Sequence, residues 1–260
     1  MIRNNGNAKP TERKERHTLA TIRDEVRRRL WTLGYDVARF RPESHPIARR
    51  RRLIKSLHID VVLDVGANTG QFAHRLRRDL GFEGRIWSFE PLSVPFRSLQ
   101  SRSAEDPDWQ AFNFALGDVE GFASINVAAN SESSSLLEML PSHVEAAPQS
   151  RFVDTEDVEI RTLDAIFDDL CRPGEGVYLK IDTQGFEGRV LQGADRSLPK
   201  IDTVQVEMSL TPLYGNEPTF DELYQLLLGK GYAMVDLEPG FTNPQTGQLL
   251  QADAIFHRFE

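Results

Sequence analysis

Cysteine is almost absent from this 260-residue sequence, and long apolar runs are missing altogether. The single cysteine, Cys171, excludes a disulfide framework and a cysteine-based zinc site, and it fits a reducing cytoplasm. No apolar stretch approaches the roughly 18 residues of a transmembrane helix, so none is expected. The first residues contain no apolar core either, so we expect no secretory signal. These absences favour a globular protein of the cytoplasm.

Charge is distributed unevenly along the chain, although its sum at pH 7 is −8. Residues 1–60 carry 16 Lys and Arg against 7 Asp and Glu, whereas residues 61–260 carry 15 against 32. The acidic body argues against nucleic acid as a ligand. The basic segment would allow peripheral contact with an anionic membrane, at the inner membrane face, or with an anionic lipid. Solvated arginine faces on helices that cap the main domain are the favoured interpretation, and contact of this segment with nucleic acid is the third alternative.

The N-terminal part of the chain predicts two regions. Residues 1–15 are polar and predict a disordered tail. Residues 16–58 predict basic helices, because apolar residues recur at helical spacing from Leu19 to Leu33 and a second, arginine-rich helix is predicted over Ile47–Leu57.

From residue 59 onward, short apolar runs alternate with helical patterns, which predicts one α/β domain over 59–260. Several runs are continuously apolar, as expected for a parallel sheet covered by helices on both faces. The last two runs have no helix between them and predict an antiparallel hairpin. Strands are predicted at Val61–Val65, Arg85–Phe89, Trp109–Phe114, Ala123–Val127, Val177–Ile181, Thr203–Glu207, Ala233–Leu237 and Ala252–Arg258. Helices are predicted at Gly70–Leu80, Val94–Arg102, Thr162–Leu170, Phe186–Gln192 and Thr219–Lys230.

A long polar segment, residues 128–157, interrupts this alternation and is rich in serine. Long irregular loops in compact domains are usually functional or disordered. We therefore expect a mobile lid over a site. His143 lies in this segment, and its ordinary pKa near neutrality makes it one candidate general base.

The strongest motif joins an apolar strand to a helix through a glycine turn, in the sequence VVLDVGANTGQF. Its glycines let the backbone approach a ligand closely, and the following helix offers unpaired N–H groups. The glycine spacing differs from that of the dinucleotide fingerprint and of the P-loop. The candidate ligand-binding residues of this motif are Asp64, Gly66, Ala67, Asn68, Gly70 and Phe72.

A carboxylate follows at the tip of the second predicted strand, where the motif SFEP ends in Glu90 and Pro91. A carboxylate about 20 residues beyond a glycine turn is placed to accept both hydroxyls of a ribose. Farther along, Leu116 could cover a planar base and Asp118, after Gly117, could accept its exocyclic amine. Together these residues predict a nucleoside site at the carboxyl edge of the sheet.

Two later strands end in the carboxylates Asp182 and Glu207, at the edge where such sheets bind ligands. Asp182 could orient an acceptor hydroxyl, receive its proton or, together with Glu207, bind Mg²⁺. Polar groups without a metal are the alternative. Lys180 is expected to point away from Asp182, and Glu187 could serve only the N-terminus of its own helix.

These motifs together resemble the FkbM family of S-adenosylmethionine-dependent O-methyltransferases. The resemblance extends from about Ile59 to the C-terminus and rests on LDVGANTGQFA, SFEP, ALGD, SSSL, TLD, LKIDTQGFE, VQVE and QADAIFHR. It implies a Rossmann-like class I methyltransferase fold with a seven-stranded, mostly parallel sheet, an antiparallel last strand and helices on both faces. The family often has Val-Glu-Gly where this chain has Thr183-Gln184-Gly185, so one carboxylate is missing from that turn.

The resemblance also implies S-adenosylmethionine as the cofactor. Asp64, Gly66, Asn68 and Gly70 would surround its methionine part, Glu90 would bind the ribose, and Gly117 and Asp118 would lie near the adenine. The implied acceptor is a hydroxyl of a sugar in a glycolipid or polysaccharide, or of a polyketide or other secondary metabolite. The candidate groups for proton removal are Asp182, Glu207 and His143, and Asp182 is also a candidate cofactor-binding residue.

Three other functions remain alternatives. A methyltransferase of nucleic acid would need an Asn-Pro-Pro-Tyr or Asp-Pro-Pro-Tyr segment for a flipped base, and the sequence has none. A nicotinamide dehydrogenase would need a different glycine spacing. A non-catalytic scaffold that keeps the fold would be expected to lose Gly66 or Glu90, and both are present.

Overall fold

The computed structural model describes residues 24–259, so the predicted tail at 1–15 and the helical positions up to residue 23 lie outside the described residues. The strands are, in chain order, β1 (Val61–Val65), β2 (Arg85–Phe89), β3 (Trp109–Phe112), β4 (Ala115–Leu116), β5 (Gly121–Ala128), β6 (Phe152–Arg161), β7 (Val177–Ile181), β8 (Thr203–Ser209), β9 (Ala233–Pro239) and β10 (Gln251–His257). The helices are α1 (24–32), α2 (Pro46–Ser56), α3 (Gln71–Arg75), α4 (Ser93–Ser103), α5 (Pro141–Ala146), α6 (Leu163–Leu170), α7 (Glu187–Gln192) and α8 (Phe220–Gly229). None of these helices is both long and apolar enough to cross a membrane.

The chain divides into two units, residues 1–49 and 50–260. In the described part of the first unit, α1 is followed by a turn that an ion pair closes. Arg27 Nε donates to Asp36 Oδ1 at 2.6 Å, and Trp31 Nε1 donates to the same oxygen at 2.9 Å. The second basic helix predicted from the sequence corresponds to α2.

The second unit is built on a seven-stranded sheet with the order β3-β2-β1-β7-β8-β10-β9. The first five strands in this order, β3, β2, β1, β7 and β8, run parallel to one another. Strand β10 lies between β8 and β9 and is antiparallel to both. The predicted fold class is therefore confirmed, including the antiparallel last strand and the final hairpin. Strand boundaries differ from the predicted ones by at most a few residues.

The two faces of this sheet differ in polarity. One face is apolar and packs against side chains of α6 and α8 to form the main core. Its strand residues include Val61, Leu63, Val65, Val177, Leu179, Ile181, Val204, Val206 and Met208. Successive residues of a strand point to opposite faces, so the other face carries the residues between them. That second face brings Asp64, Lys180, Gln205 and Glu207 close to one another on adjacent strands.

A second, three-stranded sheet has the order β4-β6-β5 and is absent from the sequence prediction. The prediction of an irregular loop over 128–157 is wrong where α5 and the start of β6 lie. Strand β6 has the acidic sequence FVDTEDVEIR, in which Val158 is the buried residue, so it contains no apolar run. Backbone pairing to β4 and β5 on both sides stabilises it instead.

Candidate active site

A cavity of about 560 Å³ opens at the carboxyl ends of β1, β2, β7 and β8. It brings together most of the residues that the sequence analysis singles out. Those that line it are Gly66, Ala67, Asn68, Phe72, Glu90, Pro91, Leu116, His143, Asp182 and Glu207. The predicted meeting of four strand tips at one site is thus observed, with Glu90 on one side and Asp182 and Glu207 on the other.

The glycine turn after β1 packs directly against the turn after β7. Gly66 has φ +74°, and a Cβ atom added to it would lie 1.8 Å from the carbonyl oxygen of Asp182. The next residues continue the tight turn, since Asn68 has φ +47°. The sequence interpretation, that Gly66 admits a ligand, is therefore incomplete, because this glycine is required for two strand tips to meet.

Glu90 is buried at the tip of β2, and its carboxylate faces the glycine turn. Its Oε2 accepts a hydrogen bond from the backbone N–H of Asn68 at 2.8 Å, and its Oε1 accepts one from Leu92 at 2.9 Å. Burial raises the pKa of Glu90 to about 7, although these two hydrogen bonds oppose the shift. A carboxylate so held can accept further hydrogen bonds from hydroxyl groups in the cavity.

Asp64 is fully buried behind the cavity wall and contacts protein groups. Its Oδ2 accepts a hydrogen bond from Ser88 Oγ at 3.2 Å, and its Oδ1 lies 3.2 Å from Lys180 Nζ. Burial raises the pKa of Asp64, and the neighbouring ammonium of Lys180 opposes that shift. The cation that neighbours Asp64 is thus a side chain of the same protein.

Three other predicted cofactor residues do not line the cavity. Gly70 packs under Trp109, whose ring would lie 2.9 Å from an added Cβ atom. Gly117 is in close contact with neighbouring side chains, and Asp118 forms an ion pair with Arg189 at 2.7 Å. Their contacts are thus with protein groups, and their roles at the cofactor stay predictions.

Lys180 lies on the same side of β7 as Asp182, and the expectation that it points away is wrong. Residues two apart on a strand share a face, and Lys180 Nζ lies 3.4 Å from Asp182 Oδ2. The ammonium also donates to the backbone oxygen of Gly66 at 3.2 Å. Burial alone would lower the pKa of Lys180, but the carboxylates of Asp182 and Asp64 raise it above its ordinary value. Lys180 is therefore a permanent cation that links the two sides of the site.

Glu207 receives two amide donors on one oxygen. Gln184 Nε2 donates to Glu207 Oε2 at 2.8 Å, and Gln251 Nε2 donates to the same oxygen at 2.9 Å. Burial and the nearby carboxylates, Asp182 foremost, raise the pKa of Glu207 well above its ordinary value. Asp253, the residue opposite Glu207 on β10, also lines the cavity, so this end carries several carboxylates.

His143 is buried in α5 and its ring lies in the cavity wall. It meets Tyr214 edge-on, with ring centroids 5.1 Å apart, and packs against Phe241 at 5.5 Å. Burial lowers the pKa of His143, which keeps the imidazole neutral at neutral pH. The segment that carries His143 does contribute to the wall of the site, as expected, whereas the mobility of that segment stays a prediction.

The carboxylates of Asp182 and Glu207 do not fit a magnesium ion. The Nε2 group of Gln184 donates to Asp182 Oδ1 at 2.9 Å and to Glu207 Oε2, so N–H groups fill the space between the carboxylates. Among residues 24–259, no group of three or more His, Cys, Asp or Glu side chains is arranged to hold a metal. Magnesium prefers oxygen ligands in octahedral geometry. We therefore derive no chemical step through Mg²⁺.

Several residues of the site escape sequence reasoning. A serine-rich turn crosses the glycine turn, where Asn68 Nδ2 donates to Ser131 Oγ at 3.2 Å and Gln71 Nε2 donates to Glu132 Oε1 at 3.0 Å. Tyr214 reaches the site from the segment after β8. The serine cluster was a usable signal, because serines next to a predicted ligand turn can bond to it. Nothing in the local sequence of Tyr214 indicates its role.

Comparison with known proteins identifies one family model. The model described as the methyltransferase FkbM domain matches residues 64–234, well over half of the chain. A search of curated proteins finds no match.

Several solved structures are also similar to this chain. The FkbM methyltransferase from Methylobacillus flagellatus KT is 16% identical, with a TM-score of 0.46, and the match covers 76% of this chain and 44% of that one. An rRNA methylase from Streptococcus thermophilus is 7% identical, with a TM-score of 0.44 and coverage of 83% and 98%. LepI in complex with SAM is 12% identical, with a TM-score of 0.43 and coverage of 83% and 47%. This chain spans less than half the length of the Methylobacillus protein.

Proposed function

This chain belongs to the FkbM methyltransferase family, and we propose that it transfers the methyl group of S-adenosylmethionine to a hydroxyl group. The observation that carries the proposal is the placement of Glu90 and Asp182 on two sides of one cavity. Glu90 offers a buried acceptor for ribose hydroxyls. Asp182 offers an acceptor for the proton that a hydroxyl loses on methylation.

The cofactor side has groups that suit an adenosine. The carboxylate of Glu90 would accept hydrogen bonds from the two ribose hydroxyls. The apolar side chains of Pro91, Leu116 and Ile125 line the same cavity and would cover the planar base. The turn at Asn68 would lie next to the methionine part. When bound, S-adenosylmethionine supplies an activated methyl group on a positively charged sulfur.

On the acceptor side, the protein has to align an oxygen and remove a proton. An alcohol is a weak nucleophile, and a positioned base typically contributes about 10²–10⁴-fold to the rate. Asp182 is the best-placed base, because it lies at the tip of β7 and is held by Lys180 and Gln184. Glu207 and His143 line the same side and would orient the acceptor.

We propose a sugar hydroxyl, of a glycolipid or polysaccharide, as the acceptor. The acceptor side is lined by amide and carboxylate side chains, which pair with hydroxyl groups, and by the aromatic ring of Phe241. The amides and carboxylates are those of Gln184, Gln205, Glu207, Gln251 and Asp253. A surface of this kind suits a ring bearing several hydroxyls. No step of this proposal involves nucleic acid.

The N-terminal unit supports a further part of the proposal, contact with an anionic membrane from the cytoplasm. Its exposed apolar side chains are those of Val26, Trp31, Leu33, Tyr35, Val37 and Phe40. Exposed arginines lie between them, and each basic residue near an anionic surface is worth about 1 kcal/mol. Co-sedimentation with vesicles checks this: binding to vesicles rich in anionic lipid, but not to neutral ones, is expected. Equal binding to both, or none, would reject the contact.

The function is tested by transfer of radiolabelled methyl from S-adenosylmethionine to a panel of acceptors. The panel holds extracted glycolipids, polysaccharides, polyketides and tRNA. We expect label in a glycolipid or polysaccharide, as an ether that survives mild base. Label in the polyketide fraction would move the acceptor to a secondary metabolite, and label in tRNA would contradict the proposal. Binding of S-adenosylhomocysteine without transfer to any fraction would favour a scaffold that keeps the fold.

A further inference from the structure

The side chain of Gln184 connects three polar residues of the acceptor side. Its Nε2 donates to Asp182 Oδ1 at 2.9 Å and to Glu207 Oε2 at 2.8 Å. Its Oε1 accepts a hydrogen bond from the hydroxyl of Tyr214 at 2.8 Å. The hydroxyl of Tyr214 also lies 3.1 Å from the carbonyl oxygen of Ser133. Carboxylate oxygens accept, so the two carboxylates favour the orientation in which Nε2 faces them. Both N–H groups of Gln184 are thereby directed at the two carboxylates.

The backbone of Gln184 is held as firmly as its side chain. The residue has φ +55°, and its carbonyl oxygen accepts a hydrogen bond from Ser135 Oγ at 2.6 Å. The turn around it is closed by Glu187, whose Oε1 accepts from the backbone N–H of Thr183 at 2.8 Å and of Gly185 at 3.2 Å. The amide is therefore part of a preorganised site, which transition-state stabilisation requires.

The charge of the side chain at residue 184 decides whether the neighbouring carboxylates would attract a cation. Asp182, Glu207 and Asp253 already line this side, with the ammonium of Lys180 close to Asp182. A carboxylate at residue 184 would add a fourth acid and replace two N–H donors by oxygen atoms. Oxygen ligands with high negative charge are what Mg²⁺ and Mn²⁺ prefer. An amide instead satisfies both carboxylates without attracting a cation.

We propose that Gln184 is a positioning residue that holds Asp182 and Glu207 in their reactive arrangement and thereby makes the site independent of divalent cations. The inference rests on the proposed function, since it takes Asp182 as the group that receives the proton of the acceptor hydroxyl. The Gln184 amide thus has two effects that can be tested separately. It excludes cations from the site, and it aligns the side chains of Asp182 and Glu207.

Cation exclusion is tested with Mn²⁺ alone, followed by electron paramagnetic resonance. The unmodified full chain should bind no stoichiometric Mn²⁺. Gln184→Glu should bind one Mn²⁺ ion, with an affinity at least tenfold higher than any residual affinity of the unmodified chain. The double variant Gln184→Glu, Asp182→Asn should lose the gained site. Gln100→Glu, which adds the same charge at an exposed position of α4, should behave like the unmodified chain. Stoichiometric binding of Mn²⁺ by the unmodified chain, or no gain in Gln184→Glu, would overturn the inference.

Alignment is tested with Gln184→Met, which keeps the length of the side chain and removes its hydrogen bonds. We expect turnover to fall at least tenfold while the affinity for S-adenosylhomocysteine stays within about threefold. EDTA should leave the turnover of the unmodified chain unchanged. Full turnover in Gln184→Met would contradict the positioning role. If the unmodified chain bound no S-adenosylhomocysteine, the proposed function would fail, while the Mn²⁺ measurement would still decide cation exclusion.

Discussion

The two sides of the cavity are built by different means. The cofactor side, around Gly66, Asn68 and Glu90, is formed mostly by backbone groups. The carboxylate of Glu90 is held there by two backbone N–H groups. On the acceptor side, around Asp182 and Glu207, side chains from the turn after β7 and from β8 and β10 form a network of amides and acids. A backbone-built side suits a ligand that never changes. A network of side chains can change which acceptor it binds through single substitutions.

Gly66 joins the two sides, so its substitution should have the largest effect. In Gly66→Ala the new Cβ atom would clash with the carbonyl oxygen of Asp182, at 1.8 Å. We expect loss of S-adenosylhomocysteine binding and of turnover together, with the free energy of unfolding lowered by about 3 kcal/mol or more. Denaturant unfolding and calorimetric titration measure these effects.

A matched glycine separates the clash from backbone strain. Gly247 has φ +75° but no atom within 4 Å of an added Cβ, so Gly247→Ala carries the strain alone and should cost about 1–2 kcal/mol. Equal losses in the two variants would mean that the close approach of the two strand tips has no energetic importance.

Asp182→Asn should separate the acceptor side from the cofactor side. The amide cannot accept a proton, so turnover should fall by about 10²–10⁴-fold. Affinity for S-adenosylhomocysteine should stay the same, because Asp182 is not among the groups that suit the adenosine. Asp168→Asn, at an exposed position with an 81% accessible side chain, is the control for loss of one charge. Undiminished turnover in Asp182→Asn would remove this residue from catalysis.

Glu90→Gln should have the opposite pattern. Replacing the carboxylate weakens the hydrogen bonds to both ribose hydroxyls, so the affinity for S-adenosylhomocysteine should fall about a hundredfold. Turnover at saturating S-adenosylmethionine should change little. Glu120→Gln, an exposed glutamate, is the matched control. A loss confined to turnover would place the adenosine elsewhere.

The affinity for the cofactor should also depend on pH through Glu90. Its pKa is raised to about 7, so at pH 6 most molecules carry the protonated form. Ribose hydroxyls donate to the ionised form, so binding requires loss of that proton and weakens as the pH falls. We expect S-adenosylhomocysteine to bind about tenfold more weakly at pH 6 than at pH 8. The dependence of this affinity on pH should vanish in Glu90→Gln. Stronger binding at low pH would contradict the role of Glu90 as an ionised acceptor of the ribose hydroxyls.

How far the sequence predicts the molecule differs between the two sides. Strand β1, its glycine turn and Glu90 follow from local patterns, because continuous burial and a fixed spacing define them. Asp182, directly after β7, and Glu207, near the end of β8, follow from the apolar runs that precede them. The bridge from Gln184 to Tyr214 does not, because its partners are 30 residues apart and meet only through the tertiary fold. The role of Lys180 does not follow from local patterns either. It is a buried charge whose two counter-ions are Asp64, on β1, and Asp182, two residues later in the chain.

The most direct measurement is a crystal structure of the full chain soaked with S-adenosylhomocysteine. We predict that both ribose hydroxyls lie within hydrogen-bond distance of the Glu90 carboxylate, with the sulfur directed toward Asp182. A ligand bound elsewhere, or a cavity that stays empty at saturating concentration, would contradict the assignment of these two strand tips to cofactor and acceptor.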